Sequence, residues 1–160
     1  MTKLNGLVVA LIIGLASISQ AMIAPWYRQV RQFDAAVEAV AEHLNTAGEA
    51  ADADELQISK VEELVDDTFV VTTDKATCTV VIVTKELNNH NGKPMPIGGV
   101  PAISGQVTKC SVNKAAVVTK SYDKISAKMD KAVAKGNFIT AVSVTGKKGT
   151  IKLTYKSDDN

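Results

Sequence analysis

Cys78 and Cys110 are the side chains whose chemistry can be read from type and number alone, being the chain's two cysteines. Each lies in a β-like stretch. In an exported chain an even, small cysteine count favours one disulfide, worth ~3 to 4 kcal/mol in the chain-entropy account of a closed loop this long. The bridge is expected to staple the base of a long connection over residues 88 to 105, and two buried free thiols are the alternative.

Catalysis has little to draw on. The two histidines, His43 and His90, have no partner at metal-ligand spacing, and the cysteines form no Cys-x-x-Cys pair, so no metal site is expected. Neither a Gly-x-Ser-x-Gly elbow nor a phosphate-cradling or dinucleotide-binding glycine motif occurs, and Gly98-Gly99 stands between prolines as turn chemistry. No catalytic residue and no cofactor is expected, and the chain reads as a non-enzyme.

With 18 Lys and Arg against 17 Asp and Glu, the net charge is +1. Nucleic acid is not an expected partner, because binding it needs a basic face that neutralises several phosphates. The charges are nevertheless segregated: acids concentrate from Asp34 to Glu86, and lysines fill the last third, from Lys109 to Lys156. Such runs are either solvated surface or a means of pairing an acidic face of one copy with a basic face of the next.

The elements that would position these groups begin with an apolar run. Residues 7 to 16 read LVVALIIGLA, and no charge follows until beyond Ala24. Leu7 to Ala24 is 18 residues, close to the ~20 that a helix needs to cross a bilayer. Lys3 precedes it and suits a cytoplasmic end. Export or membrane insertion follows, with two processing outcomes open: Ser19-Gln20-Ala21 fits a signal-peptide cleavage rule that would leave Met22 first, or the segment is kept.

After Pro25 the apolar residues Trp26, Val30, Phe33, Val37, Val40 and Leu44 recur at steps of four and three, the stripe of an amphipathic helix. Pro25 is tolerated at a first helical position. Together the two halves predict one helix of about 40 residues, ~60 Å long. Asn45 and Gly48 supply its stop.

This division resembles the spine helix of type IV pilins and pseudopilins. MTKLNG has the short basic leader ending in glycine that the family's peptidase removes, so the resemblance implies cleavage between Gly6 and Leu7. Leu7, Val8, Val9, Leu11, Ile12, Ile13, Leu15 and Ile18, with Pro25 at the end of the run, would then form the membrane and assembly helix. Where most pilins carry a glutamate near the mature N-terminus this chain has Leu11, so docking by a buried carboxylate is not implied. The C-terminal stretch GNFITAVSVTGKKGTIKLTYKS also looks like a pilin sheet hairpin.

Between these ends, AGEAADAD (47 to 54) reads as a solvated connection and Glu55 to Val65 as a short helix, with Leu56, Val61, Leu64 and Val65 inward. Phe69 to Thr73 and Thr77 to Thr84 read as strands joined at Asp74-Lys75, Gln106 to Val112 as a third. Ser121 to Lys135 reads as an amphipathic helix ended by Gly136, and Phe138 to Thr145 with Thr150 to Lys156 as a closing hairpin. Residues 80 to 83, apolar on both faces, suggest a central strand under the long helix.

The expected fold is α+β, a long N-terminal helix packed on a four- to five-stranded antiparallel sheet: residues 1–6 leader, 7–45 membrane and assembly helix, 46–160 globular head. The expected function is an exported structural subunit of a cell-surface filament, first an inner-membrane precursor and then extracellular. Its expected partners are the membrane, other copies of itself, and a surface receptor met through residues 88–105. The alternatives are a secreted or periplasmic disulfide-stapled binding protein, or a single-pass anchored protein of an envelope or virion.

Overall fold

Alternating burial along TFVVTT and ATCTVVIVTK shows why these residues pair as strands: every second side chain is buried and its neighbours are half-buried or exposed. A computed structural model of the chain describes residues 25–46, 52–85 and 102–156. Its elements are α1 (Pro25–Thr46), a 3₁₀ turn (Ala53–Glu55), β1 (Gln57–Val65), β2 (Thr68–Thr73), β3 (Ala76–Lys85), β4 (Ala102–Val112), β5 (Lys120–Ser121), α2 (Tyr122–Val133), β6 (Ile139–Thr145) and β7 (Thr150–Tyr155).

The strands form one antiparallel sheet in the order β4-β3-β2-β1-β6-β7, with the short β5 also paired to β1. This overturns the expected architecture. The sheet has seven strands instead of four or five, and the helices are 22 and 12 residues long, so among the described residues no 40-residue N-terminal helix lies on it. Residues 7–24 lie outside the described part, as does the Gly6–Leu7 cleavage site.

The largest local correction is β1, expected as a helix. Ile58, not among the residues expected inward on that helix, and Val61, which was, are both fully buried although three residues apart. In a regular strand two residues three apart point to opposite faces. Here the register slips between Ile58 and Lys60, and a bulge of this kind brings both side chains to the core. Pairing with β2 on one side and β6 on the other then outweighs local preference. Leu64 and Val65, expected inward, are exposed.

Two further boundaries move. β4 begins at Ala102, so the last four residues of the connection expected over 88–105 are strand, while 88–101 lie outside the described residues. β3 lies next to the edge strand β4 and not at the centre, which β2 and β1 occupy.

Val30, Phe33, Val37, Val40 and Leu44 of α1 are buried, with Ala36 and Ala41 filling the spaces between them. Phe33 meets Phe69 of β2 edge to face, ring centroids 5.1 Å apart. Against β4 the approach is closer: a Cβ placed on Gly105 would stand 2.5 Å from the backbone oxygen of Ala35 and 2.8 Å from Cβ of Ala39. Only glycine admits the helix at that distance. The second helix, α2, buries Tyr122, Ile125, Met129 and Val133 and ends at Val133, two residues before the expected Lys135; the turn after it closes at Gly136, whose φ of 81° is one that L side chains rarely adopt.

Candidate functional site

Three constellations of polar or reactive side chains stand out from this framework. The first is the disulfide. Cys78 and Cys110 are directly opposed in register between β3 and β4 and are bonded to each other. The strands continue from there to the Lys85–Ala102 pair, seven residues further along β3, about 23 Å at the usual rise. The bridge therefore does not staple the base of the connection. It fixes the far end of the edge strand, where Asn113 adds a clamp: its amide donates to Thr73 O at 2.7 Å, its carbonyl accepts from Thr77 Oγ1 at 2.8 Å, and its backbone N–H bonds Lys75 O at 2.7 Å.

The second lies at the N-terminal end of α1. Gln29 Oε1 accepts the Ile139 backbone N–H at 2.9 Å, and Gln32 Nε2 donates to Asp67 Oδ1 at 2.7 Å. Asp67 turns the chain between β1 and β2 with φ 59°. Around these contacts opens a cavity of about 380 Å³, walled by Arg28, Glu63, Asp66, Lys156 and the exposed apolar side chains of Leu64 and Phe138, among others. Partial burial raises the Glu63 carboxyl above its ordinary range, and Asp66 and Asp67 raise it further, against a lowering hydrogen bond from Gln29.

The third joins the two helices. Tyr122 Oη donates to Asp34 Oδ1 at 2.7 Å. Burial raises the Asp34 carboxyl; the tyrosine bond lowers it, while Glu38, Asp130 and Asp54 raise it. Burial also lifts the Tyr122 hydroxyl well above its ordinary value, with Asp34 adding to the effect. Beside this pair a cleft of about 430 Å³ is lined by Asp54, Glu55, Gln57, Ser121 and Asp123.

The residues singled out in the sequence are distributed as follows. Those from Gly6 to Ile18 lie outside the described part, Pro25 opens α1, and Trp26 follows it in the helix. His43 is exposed on α1 near its end, and His90 lies outside the described residues. Among the described residues no group of three or more His, Cys, Asp or Glu is arranged to hold a metal ion, and no helix is long and apolar enough to cross a membrane. Gln29, Gln32, Asn113 and the Tyr122–Asp34 pair were not singled out. The glutamines at positions 29 and 32, adjoining the stripe residues Val30 and Phe33, are the available signal.

No family model matches the chain, and no curated protein or solved structure matches it.

Proposed function

We propose that this chain is a non-enzymatic, exported structural subunit of a cell-surface filament, held in the membrane by Leu7 to Ala24 and assembled through that same segment. The observation that carries the reading is mechanical. α1 starts at Pro25, directly after the uncharged run, and it is fastened to the edge strand through the close approach of Ala35 to Gly105. A pull on the N-terminal segment is thereby passed to the sheet. The Cys78–Cys110 bridge, which locks that edge strand to β3, suits an oxidising exterior.

In this reading residues 88–101 supply the contact with a surface receptor. The same disulfide also suits a secreted protein that discards its first residues, and the mature N-terminus separates the two. Mass spectrometry of the exported protein is expected to find Leu7 first; Met22 would overturn the filament reading. Lysine at Leu11 or Ile13 is expected to abolish filaments seen by electron microscopy while leaving the head domain folded.

A further inference from the structure

The helical layer carries two opposite electrical faces that point in different directions. On α2, Lys124, Lys128 and Lys131 recur at steps of four and three and are all exposed, which puts them on one flank at about 100° per residue; the exposed Lys135 follows in the turn just after the helix. The Lys128 ammonium reaches the Ile151 carbonyl oxygen of β7, so this flank faces the sheet edge. Lys120 extends the patch, because its Cε lies 2.9 Å from where a Cβ on Gly149 would stand, beside the exposed Lys147 and Lys148 of the β6–β7 turn.

Another flank of α2 carries Asp123 and Asp130, both exposed, and Asp130 lies near enough to Asp34 of α1 to act on its carboxyl. After burial, the first cause, the nearby carboxylates Glu38, Asp130 and Asp54 each raise the carboxyl of half-buried Asp34. The adjoining cleft of about 430 Å³ is walled by the same Asp54 and by two further carboxylates, Glu55 and Asp123, and no described cation lines it.

We propose that copies of this chain associate through these faces, the lysine flank of α2 in one copy seating in the carboxylate seam between α1 and α2 of the next. The two halves are different surfaces, so the contact is heterologous: each copy keeps one face of each sign open, and association propagates instead of closing as a twofold pair. Charge complementarity of this kind sets register and partner choice. The inference deepens the filament reading and supplies a contact between head domains that does not use the apolar segment.

The test uses the full chain in detergent and two charge-reversed variants. One carries Lys124→Glu and Lys131→Glu, the other Glu38→Lys and Asp130→Lys; all four positions are exposed, and unchanged circular dichroism and thermal midpoint confirm folding. Sedimentation velocity is expected to show association of the wild-type chain at low salt, lost near 1 M, where the screening length is ~3 Å. Each variant alone should associate at least about tenfold more weakly. An equal mixture should recover association, since every contact in an alternating row is again complementary.

Wild-type-like association of either variant, or no recovery on mixing, overturns the proposal. So does a lysine variant whose one defect is binding to anionic lipid vesicles or to nucleic acid. The two readings fail separately. Filaments formed equally well by both variants would remove this contact and keep the filament, whereas salt-sensitive association without filaments would keep the contact and remove the filament.

Discussion

Tyr122 donates its hydroxyl proton to Asp34 across 2.7 Å, a bond between residues 88 apart in sequence that ties the start of α2 to the middle of α1. Tyr122 is 3% exposed, so its ring also fills the core and only its hydroxyl meets the carboxylate. Tyr122→Phe keeps the ring and removes the donor, leaving Asp34 half-buried with one partner fewer. The expected cost is ~1 to 3 kcal/mol, read as a lower urea midpoint at unchanged m-value. An unchanged midpoint would show that water replaces the hydroxyl at no cost.

Protonation of Asp34 and Glu63 is expected to stabilise the fold. Burial is the first cause of a raised carboxyl in both, from ordinary values of 3.8 and 4.5. A carboxyl whose value is higher folded than unfolded takes its proton first in the folded state. The stability it contributes is therefore gained as pH falls through the raised value and lost as pH rises through it. Asp123 runs the other way, lowered first by the hydrogen bond from Ser121. The difference between wild type and an Asp34→Asn, Glu63→Gln double variant isolates the two raised groups. The variant is expected to be the more stable at pH 7, with the gap closing as pH falls toward 4; a gap constant with pH would exclude the effect.

How far these features were legible depended on whether a local pattern carried them. The α1 stripe from Val30 to Leu44 repeats at helical spacing and is buried as that spacing requires. The β2–β3 hairpin and the turn at Gly136 were likewise written in short stretches of sequence. β1 was not: Leu56, Val61, Leu64 and Val65 suggest the inward face of a helix, whereas the buried pair Ile58 and Val61, three apart, shares one face of a strand only through a bulge. The position of the disulfide within the hairpin was also hidden, since it depends on how far β3 and β4 run past it. The Tyr122–Asp34 bond, the Gln32–Asp67 bond and the Asn113 clamp all join residues more than 30 apart. No window along the chain contains such a contact.

The close approach at Gly105 gives a prediction about a single methyl group. An added Cβ would meet the Ala35 backbone oxygen at 2.5 Å and Val80 Cγ1 at 2.9 Å. A side chain can turn aside; a helix backbone fixed by its buried stripe cannot do so without shifting α1. Gly105→Ala is expected to cost ~1 to 3 kcal/mol by overpacking, and Gly105→Val more. Urea unfolding checks the order, and near-UV circular dichroism should show the Phe33–Phe69 packing disturbed. A neutral alanine would mean that α1 can lift off β4 freely, which would also remove the mechanical link on which the filament reading rests.

Removing the disulfide should loosen one part of the sheet before the rest. Cys78 and Cys110 bind the edge strand to β3, and β4 has a neighbouring strand on that side alone. A Cys78→Ala, Cys110→Ala pair is expected to lose ~2 to 5 kcal/mol, as for native disulfides generally. The location of the loss is more specific. Below the unfolding temperature, amide hydrogen exchange should rise first in the part of β4 from Gln106 to Val112. The amides of β1, paired on both sides by β2 and β6, should remain protected. Equal loss of protection in β1 and β4 would mean that the bridge acts on the stability of the whole domain and not on its edge.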